Sequence, residues 1–284
     1  MSLLKPSRAR IVTIANQKGG VGKTTTTMNL GVALAREGRR VLLIDSDPQA
    51  NLTSYLGVTP GKAPFEALRT LDELYLSKRI ADGRNRELFV ARTASGVDLV
   101  ASEATLSGVE YYLINRTDRE LILSQFLEGL REDYDFILID TPPSLNLLTL
   151  NALCAADHVL VPVQPEFFSL EGIVKIRKSI EDVKKRWNSR LSIIGVLATQ
   201  ITARRKLTQE VIDALKSELG PVFFESMIHD NAAVTESSGH AQSVIEYDRS
   251  SRGAKDYTAA AQELLKRVRK SPLSPTSLLK ELGA

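Results

Sequence analysis

Residues 17–27, QKGGVGKTTTT, constrain this chain more than any other stretch. An apolar run at 11–15 precedes them, and residues 28–35 follow with apolar side chains at helical spacing, so the glycines join a buried strand to a helix. Gly19, Gly20 and Gly22 let the backbone curl until successive N–H groups converge on an anion, and the positive end of the following helix adds to the attraction. In such a loop Lys23 supplies charge to the β- and γ-phosphates and Thr24 a hydroxyl for Mg²⁺. The pattern G-x-x-x-x-G-K-[ST] is met at Gly22-Lys23-Thr24 but not at its first glycine, where Gln17 stands, and a second lysine, Lys18, follows directly. A glycine-rich turn without a ligand is the plainer alternative. It gives no reason for a lysine, two threonines and a helix start in this order.

The form KGGVGKTT resembles the deviant phosphate loop of the ParA/MinD class of ATPases, and ANQKGGVGKTTTTMNL is most similar to the ParA (Soj) branch, which partitions DNA. The resemblance implies ATP and Mg²⁺ as cofactors, with Gly19, Gly20, Val21, Gly22, Lys23, Thr24 and Thr25 around the phosphates. It further implies that Lys18 reaches across a two-fold axis to the ATP held by the other subunit of a homodimer. The alternative for Lys18 is a solvated loop lysine.

The alternation of apolar strands and helices suits an α/β fold: a doubly wound, mainly parallel sheet with flanking helices, the P-loop NTPase arrangement. Strands are expected at 11–15, 41–44, 97–100, 136–139, 158–163 and 193–198, with helical segments between most of them. Residues 57–96 are more polar, with one amphipathic piece at 68–80, and read as an insertion on the sheet's edge. Residues 1–270 are expected to form one ATPase domain and 271–284, SPLSPTSLLKELGA, a flexible C-terminal tail. A single cysteine, Cys154, excludes a disulfide framework and fits a reducing cytoplasm, and the three histidines show no metal-ligand spacing. No signal peptide is legible and no segment approaches the ~20 apolar residues that span a bilayer, so a cytoplasmic protein without a membrane partner is expected, and the resemblance implies association with the nucleoid. The short tail segment SLLKEL is the one piece to weigh as a membrane-binding helix, the device of the MinD branch, and it lacks an aromatic anchor.

Two strands end in acids. In VLLIDSDPQAN, Asp45 and Asp47 stand just past a buried strand, at the edge where open α/β sheets bind ligands. Two turn-forming aspartates before a proline are the alternative. In DFILIDTPP, Asp140 ends another apolar strand, as a carboxylate must if it is to meet the Mg²⁺ shell from beside the phosphate loop. By resemblance, the first segment is the first switch, with Asp47 helping to place the attacking water and Asp45 supporting the Mg²⁺ shell. The Asp-Thr-Pro-Pro of the second matches the other switch. No histidine base or Ser-His-Asp set is visible. Phosphoryl transfer needs none, because positioning and charge stabilisation carry it, with Lys18, Lys23 and Asp47 as the catalytic set. Turnover is expected to be slow until a ParB-like or other stimulating partner completes the site.

The segment QPEFFSLEG resembles the class's motif after the next strand, which implies that Glu166 reaches the ribose of the partner's nucleotide; helix-start chemistry explains it equally. Gln200 and His229 are implied near adenine. For nonspecific DNA binding the resemblance points to Arg204, which with Arg205 and Lys206 makes three adjacent cations at a helix start, and Arg249, Arg252 and Arg267 extend a candidate basic face. An ordinary solvated basic face is the alternative. The chain departs from its class at 229–233, where HDNAA replaces the frequent PRNVR and exchanges cations for an acid. No helix-turn-helix precedes the phosphate loop, which argues against operator recognition. The rival readings are a MinD-like positioning ATPase, a metabolic ATP-dependent enzyme on the same fold such as an amide-forming synthetase or the nitrogenase iron protein, and a nucleotide-binding adaptor. The iron protein needs cluster cysteines that one Cys154 cannot supply.

Overall fold

The computed structural model describes residues 8–77, 86–166, 169–202 and 206–270. Seven strands, β1 (Arg10–Ile14), β2 (Val41–Asp45), β3 (Ala91–Arg92), β4 (Asp98–Val100), β5 (Phe136–Asp140), β6 (His158–Val163) and β7 (Ser192–Ala198), form one sheet in the order β3-β4-β2-β5-β1-β6-β7. All neighbours are parallel except the two-residue edge strand β3, which runs antiparallel to β4. The helices are α1 (Lys23–Arg36), α2 (Asn51–Tyr55), α3 (Leu71–Leu76), α4 (Val109–Tyr112), α5 (Ile122–Glu128), α6 (Leu147–Ala155), α7 (Ser169–Arg186), α8 (Lys206–Leu219), α9 (Ala232–Gly239), α10 (Val244–Tyr247) and α11 (Arg252–Lys270).

The central strands are apolar at nearly every position because helices cover both faces, and alternate residues serve opposite layers. Ile11, Leu42, Ile44, Ile137, Ile139, Val159 and Val161 meet Phe126, Leu153, Ile176 and Ile180 on one face. Val12, Ile14, Leu43, Leu138, Leu160 and Leu197 meet Met28, Leu34, Tyr257 and Leu264 on the other. Gly31 lets α1 press onto the sheet: a Cβ there would lie 2.6 Å from a Leu43 methyl. The helix that follows the phosphate loop is thereby seated directly on β2.

The expected strands all form, with small shifts at their ends. Asp45, expected just past its strand, is the last residue of β2, Asp140 ends β5 as expected, and the two sit opposite one another in register. The expected edge insertion holds α3, capped by a Thr70/Glu73 box, and Leu71, Leu74 and Tyr75 of that helix are completely buried in the main core. Among the described residues, no helix is long and apolar enough to cross a membrane. The expected tail, 271–284, lies outside the described residues.

At the edge of the sheet away from the phosphate loop, Arg131 donates to both oxygens of Asp157 at 2.9 and 3.2 Å, and the Ile11 N–H donates to the same carboxylate at 2.9 Å. Both side chains are buried. Asp157→Ala leaves the buried guanidinium with only the exposed carboxylate of Glu128, 3.4 Å from Nε, and is expected to lower unfolding free energy by about 3–5 kcal/mol. A urea midpoint that falls with unchanged slope checks this, and parental stability would refute it.

Candidate nucleotide site

The loop is held from outside. Asn16, almost fully buried, donates from Nδ2 to the Pro162 carbonyl at 2.8 Å and accepts the Lys18 N–H at 3.0 Å, which ties the loop's start to β6. Gln200 donates to the Gly20 carbonyl at 2.7 Å, and the Thr199 hydroxyl lies 3.0 Å from the Val21 carbonyl. With those carbonyls turned outward, the N–H groups of Val21 and Gly22 in the same peptide planes point to the loop's interior, as an anion cradle requires. Gly22 adopts φ 78°, a left-handed conformation that glycine reaches without strain, and from it α1 begins with no acidic residue in its first turn to oppose an anion.

Lys23, the first residue of α1, is almost fully buried, and its ammonium donates to the Lys18 carbonyl at 3.3 Å. Burial lowers its pKa, against the opposing pull of Asp140 and Asp47. Asp140 is completely buried, and its Oδ2 has no hydrogen-bond partner, while Thr27 donates weakly to Oδ1 at 3.4 Å. Burial, then the neighbouring Asp45, push Asp140 up to about 8, against the opposing influence of the Thr24 hydroxyl. An orphaned buried carboxylate oxygen beside a threonine hydroxyl is a donor set that fits a hard divalent cation, whose charge would restore the ionised form.

Asp45 differs from Asp140. Its Oδ2 accepts from both the N–H and the hydroxyl of Thr53, at 2.8 and 2.7 Å, and its Oδ1 accepts the Asp47 N–H at 3.3 Å. Burial raises it to about 6 despite those bonds. Both oxygens of Asp45, expected to support the Mg²⁺ shell, are engaged by the chain that follows it. Asp47 lies 8% exposed on the intervening loop, accepting the Gln49 N–H at 3.0 Å.

A family model described as an AAA domain matches residues 9–193. The chain is 40% identical to the sporulation initiation inhibitor protein Soj of Bacillus subtilis over 255 residues, covering 90% of this chain and 98% of that protein. It is 40% identical to the chromosome partitioning protein ParA of Caulobacter vibrioides over 263 residues, covering 92% and 95%. The chain belongs to the Soj/ParA family of ATPases. Among solved structures it is similar to cobyrinic acid a,c-diamide synthase from Mycobacterium smegmatis with bound ADP and magnesium, at TM-score 0.78 and 34% identity, covering 94% of this chain and 98% of that one.

With the family established, the residues expected to face other molecules divide into three groups. Lys18 is half exposed; its ammonium donates to Glu166 at 2.6 Å and to Gln164 at 3.2 Å, so the two residues expected to act on a partner's nucleotide are paired within this chain. Gln200, at φ 53°, braces the loop through Gly20 and accepts a hydrogen bond from Gln164. His229 is held by Asp256, which accepts from its N–H at 2.9 Å and lies 2.9 Å from its Nδ1. The expected adenine pair thus shares one edge of the sheet, joined by the Ile201↔His229 bridge, but each side chain is already engaged.

Among the expected DNA contacts, Arg249 and Arg252 are exposed, the latter 4.0 Å from Asp256, while Arg204 and Arg205 lie outside the described residues. Arg267 does not fit the expectation. Its guanidinium stacks 4.2 Å over Phe224 and donates to Glu263 and to the carbonyls of Ile194, Pro221 and Phe223, which uses all of its N–H groups inside the fold. The sequence reading missed Asn16, Thr53, Thr199 and Ser102, small polar residues whose roles arise from partners remote in the chain.

Proposed function

We propose that the chain is an ATP-dependent dimerising switch that binds DNA without sequence preference and hydrolyses ATP to partition or position a cargo. The observation that carries this reading is Lys18. Its ammonium lies on Glu166, and in the segments that follow β5 and β6 Leu145, Leu170 and Val174 are exposed, Val174 to 65%. A Cβ on Gly19 would lie 4.0 Å from the Pro143 side chain and one on Gly172 of α7 3.9 Å from Asn16, so the segment after β5 and the start of α7 both approach the loop. A cation beside exposed apolar residues suits closure against a second copy, in which each Lys18 meets the other subunit's triphosphate.

Within each subunit, the loop amides and Lys23 bind the phosphates, and Thr24 and Asp140 would hold Mg²⁺. Held there, a Mg²⁺ ion would supply positive charge against the negative charge that develops in phosphoryl transfer. Asp47 orients the attacking water. The likeness to the diamide synthase speaks for a shared fold and loop; identity to Soj and ParA over nine-tenths of the chain favours partition over synthesis.

A DNA mobility shift with ATP, with ADP and without nucleotide tests the reading. Retardation is expected only with ATP, and equal mobility in all three conditions would remove DNA binding from the function. If Arg204 and Arg205 contact phosphates, replacing both with Glu abolishes the shift and leaves dimerisation intact. Single Arg→Ala changes should each lower the slope of log affinity against log salt by about one unit. An unchanged slope would move the contact elsewhere.

A further inference from the structure

We propose that Thr53 and Ser102 are positioning residues for ATP hydrolysis: their buried hydroxyls hold the backbone of Asp47 in the place from which it acts. The inference rests on the reading of Asp47 as the residue that orients water.

The loop that carries Asp47 leaves β2 at Asp45 and enters α2 at Asn51. It has no ordinary helix cap. Ala50, at the N-cap position, adopts φ 51° and offers no side-chain acceptor. The cap comes instead from the strand behind: Asp45 accepts the N–H and the hydroxyl of Thr53, which binds α2 back onto β2. The Thr53 oxygen then accepts the Ser102 N–H at 3.0 Å, and the Ser102 hydroxyl donates to the Asp47 carbonyl at 2.9 Å. The Asp47 N–H returns to Asp45 at 3.3 Å, which closes a ring Asp45–Thr53–Ser102–Asp47.

Asp45, Thr53 and Ser102 are each at most 2% exposed, so water does not compete for these bonds. Ser102 follows β4 by two residues and sits 49 positions along the chain from Thr53. Its hydroxyl therefore fixes the active loop to the neighbouring strand. Both the amide and the carbonyl of Asp47 are held, while its carboxylate, which accepts the Gln49 N–H, is bound by neither Thr53 nor Ser102. Such an arrangement sets the direction of one side chain without touching nucleotide.

The test uses the full chain with Mg-ATP and DNA, reading kcat and KM by phosphate release and folding by thermal melting. Ser102→Ala and Thr53→Val each remove one hydroxyl; Thr53→Ser restores it. The first two are expected to lower kcat roughly tenfold or more with KM within about twofold, since a misplacement of about 1 Å can cost up to a hundredfold. Thr53→Ser should stay close to the parental rate. In an Asp47→Ala background, which should itself be nearly inactive, Ser102→Ala should have no further effect. If Asp47→Ala is inactive while Ser102→Ala and Thr53→Val turn over normally, the positioning role is wrong and the role of Asp47 stands. If Asp47→Ala turns over normally, the reading of Asp47 falls and the positioning role with it. Loss of kcat in proportion to a rise in KM and a fall in melting temperature, without rescue by Thr53→Ser, would also overturn the proposal by making the ring a folding element alone.

Discussion

Lys23→Ala is expected to abolish tight binding of Mg-ATP while leaving the ligand-free protein folded. The side chain is almost fully buried at the first position of α1, within the influence of Asp140 and Asp47, and its ammonium rests on a main-chain carbonyl of its own loop. Removing that charge leaves a site in which buried carboxylates face a polyanion. Truncating one partner of a buried, hydrogen-bonded charge pair costs about 2–5 kcal/mol, so the affinity should fall roughly a hundredfold or more. Folding should move the other way. The pKa of Lys23 is lowered in the folded state, chiefly by burial, so the ammonium is less welcome there than in the unfolded chain. At any pH below the ordinary lysine range, the ligand-free protein therefore bears a penalty that Lys23→Ala, or better Lys23→Met, removes. Calorimetric titration with Mg-ATP beside a thermal melt without nucleotide separates the two effects. Parental affinity would show that Lys23 does not face the phosphates, and a large loss of ligand-free stability would show that its role is structural.

What the sequence disclosed about this fold depended on how local each signal is. The central strands were legible because a strand buried on both faces is apolar at successive positions, and β5 reads FILID without interruption. The two-residue β3 leaves no periodicity to read, and α2 begins at an alanine with positive φ, where no capping residue announces it. The acids at the ends of β2 and β5 look alike in sequence, yet Asp140 carries the orphaned oxygen and Asp45 is taken by Thr53. That difference is fixed by which chain passes each carboxylate next. Arg267 was read as one more cation near the end of a basic helix. Its partners Ile194, Pro221 and Phe223 come from β7 and the turn after α8, 44 to 73 positions away, and no spacing within α11 could reveal them. Asn16 was overlooked for the same reason: its acceptor, Pro162, is 146 positions distant.

Lys18→Ala is expected to preserve ATP binding by the single subunit and to eliminate the ATP-dependent dimer, and turnover with it. The ion pair to Glu166 is short, at 2.6 Å, but its two side chains are 49% and 60% exposed, and exposed pairs contribute only about 0–1 kcal/mol. Releasing Lys18 from Glu166 therefore opposes dimerisation weakly, whereas truncating a lysine that meets a triphosphate inside a closed interface costs about 2–5 kcal/mol, much of it from the phosphate charge left unpaired. A two-fold interface makes the contact twice, once in each direction. At about 3 kcal/mol per contact, loss of both weakens the dimer by roughly 6 kcal/mol, a factor of about twenty thousand in its dissociation constant. The melting temperature of the nucleotide-free subunit and its affinity for ATP should change little, because neither depends on the partner's triphosphate. Glu166→Gln distinguishes the roles of the pair. If Glu166 only restrains Lys18, that variant dimerises slightly better with ATP; if Glu166 reaches the partner's ribose, it dimerises less well. Light scattering with and without ATP, read beside phosphate release, decides the matter: a Lys18→Ala protein that still forms a dimer and hydrolyses ATP at the parental rate returns Lys18 to the status of a solvated loop lysine and removes the main support for a shared active site.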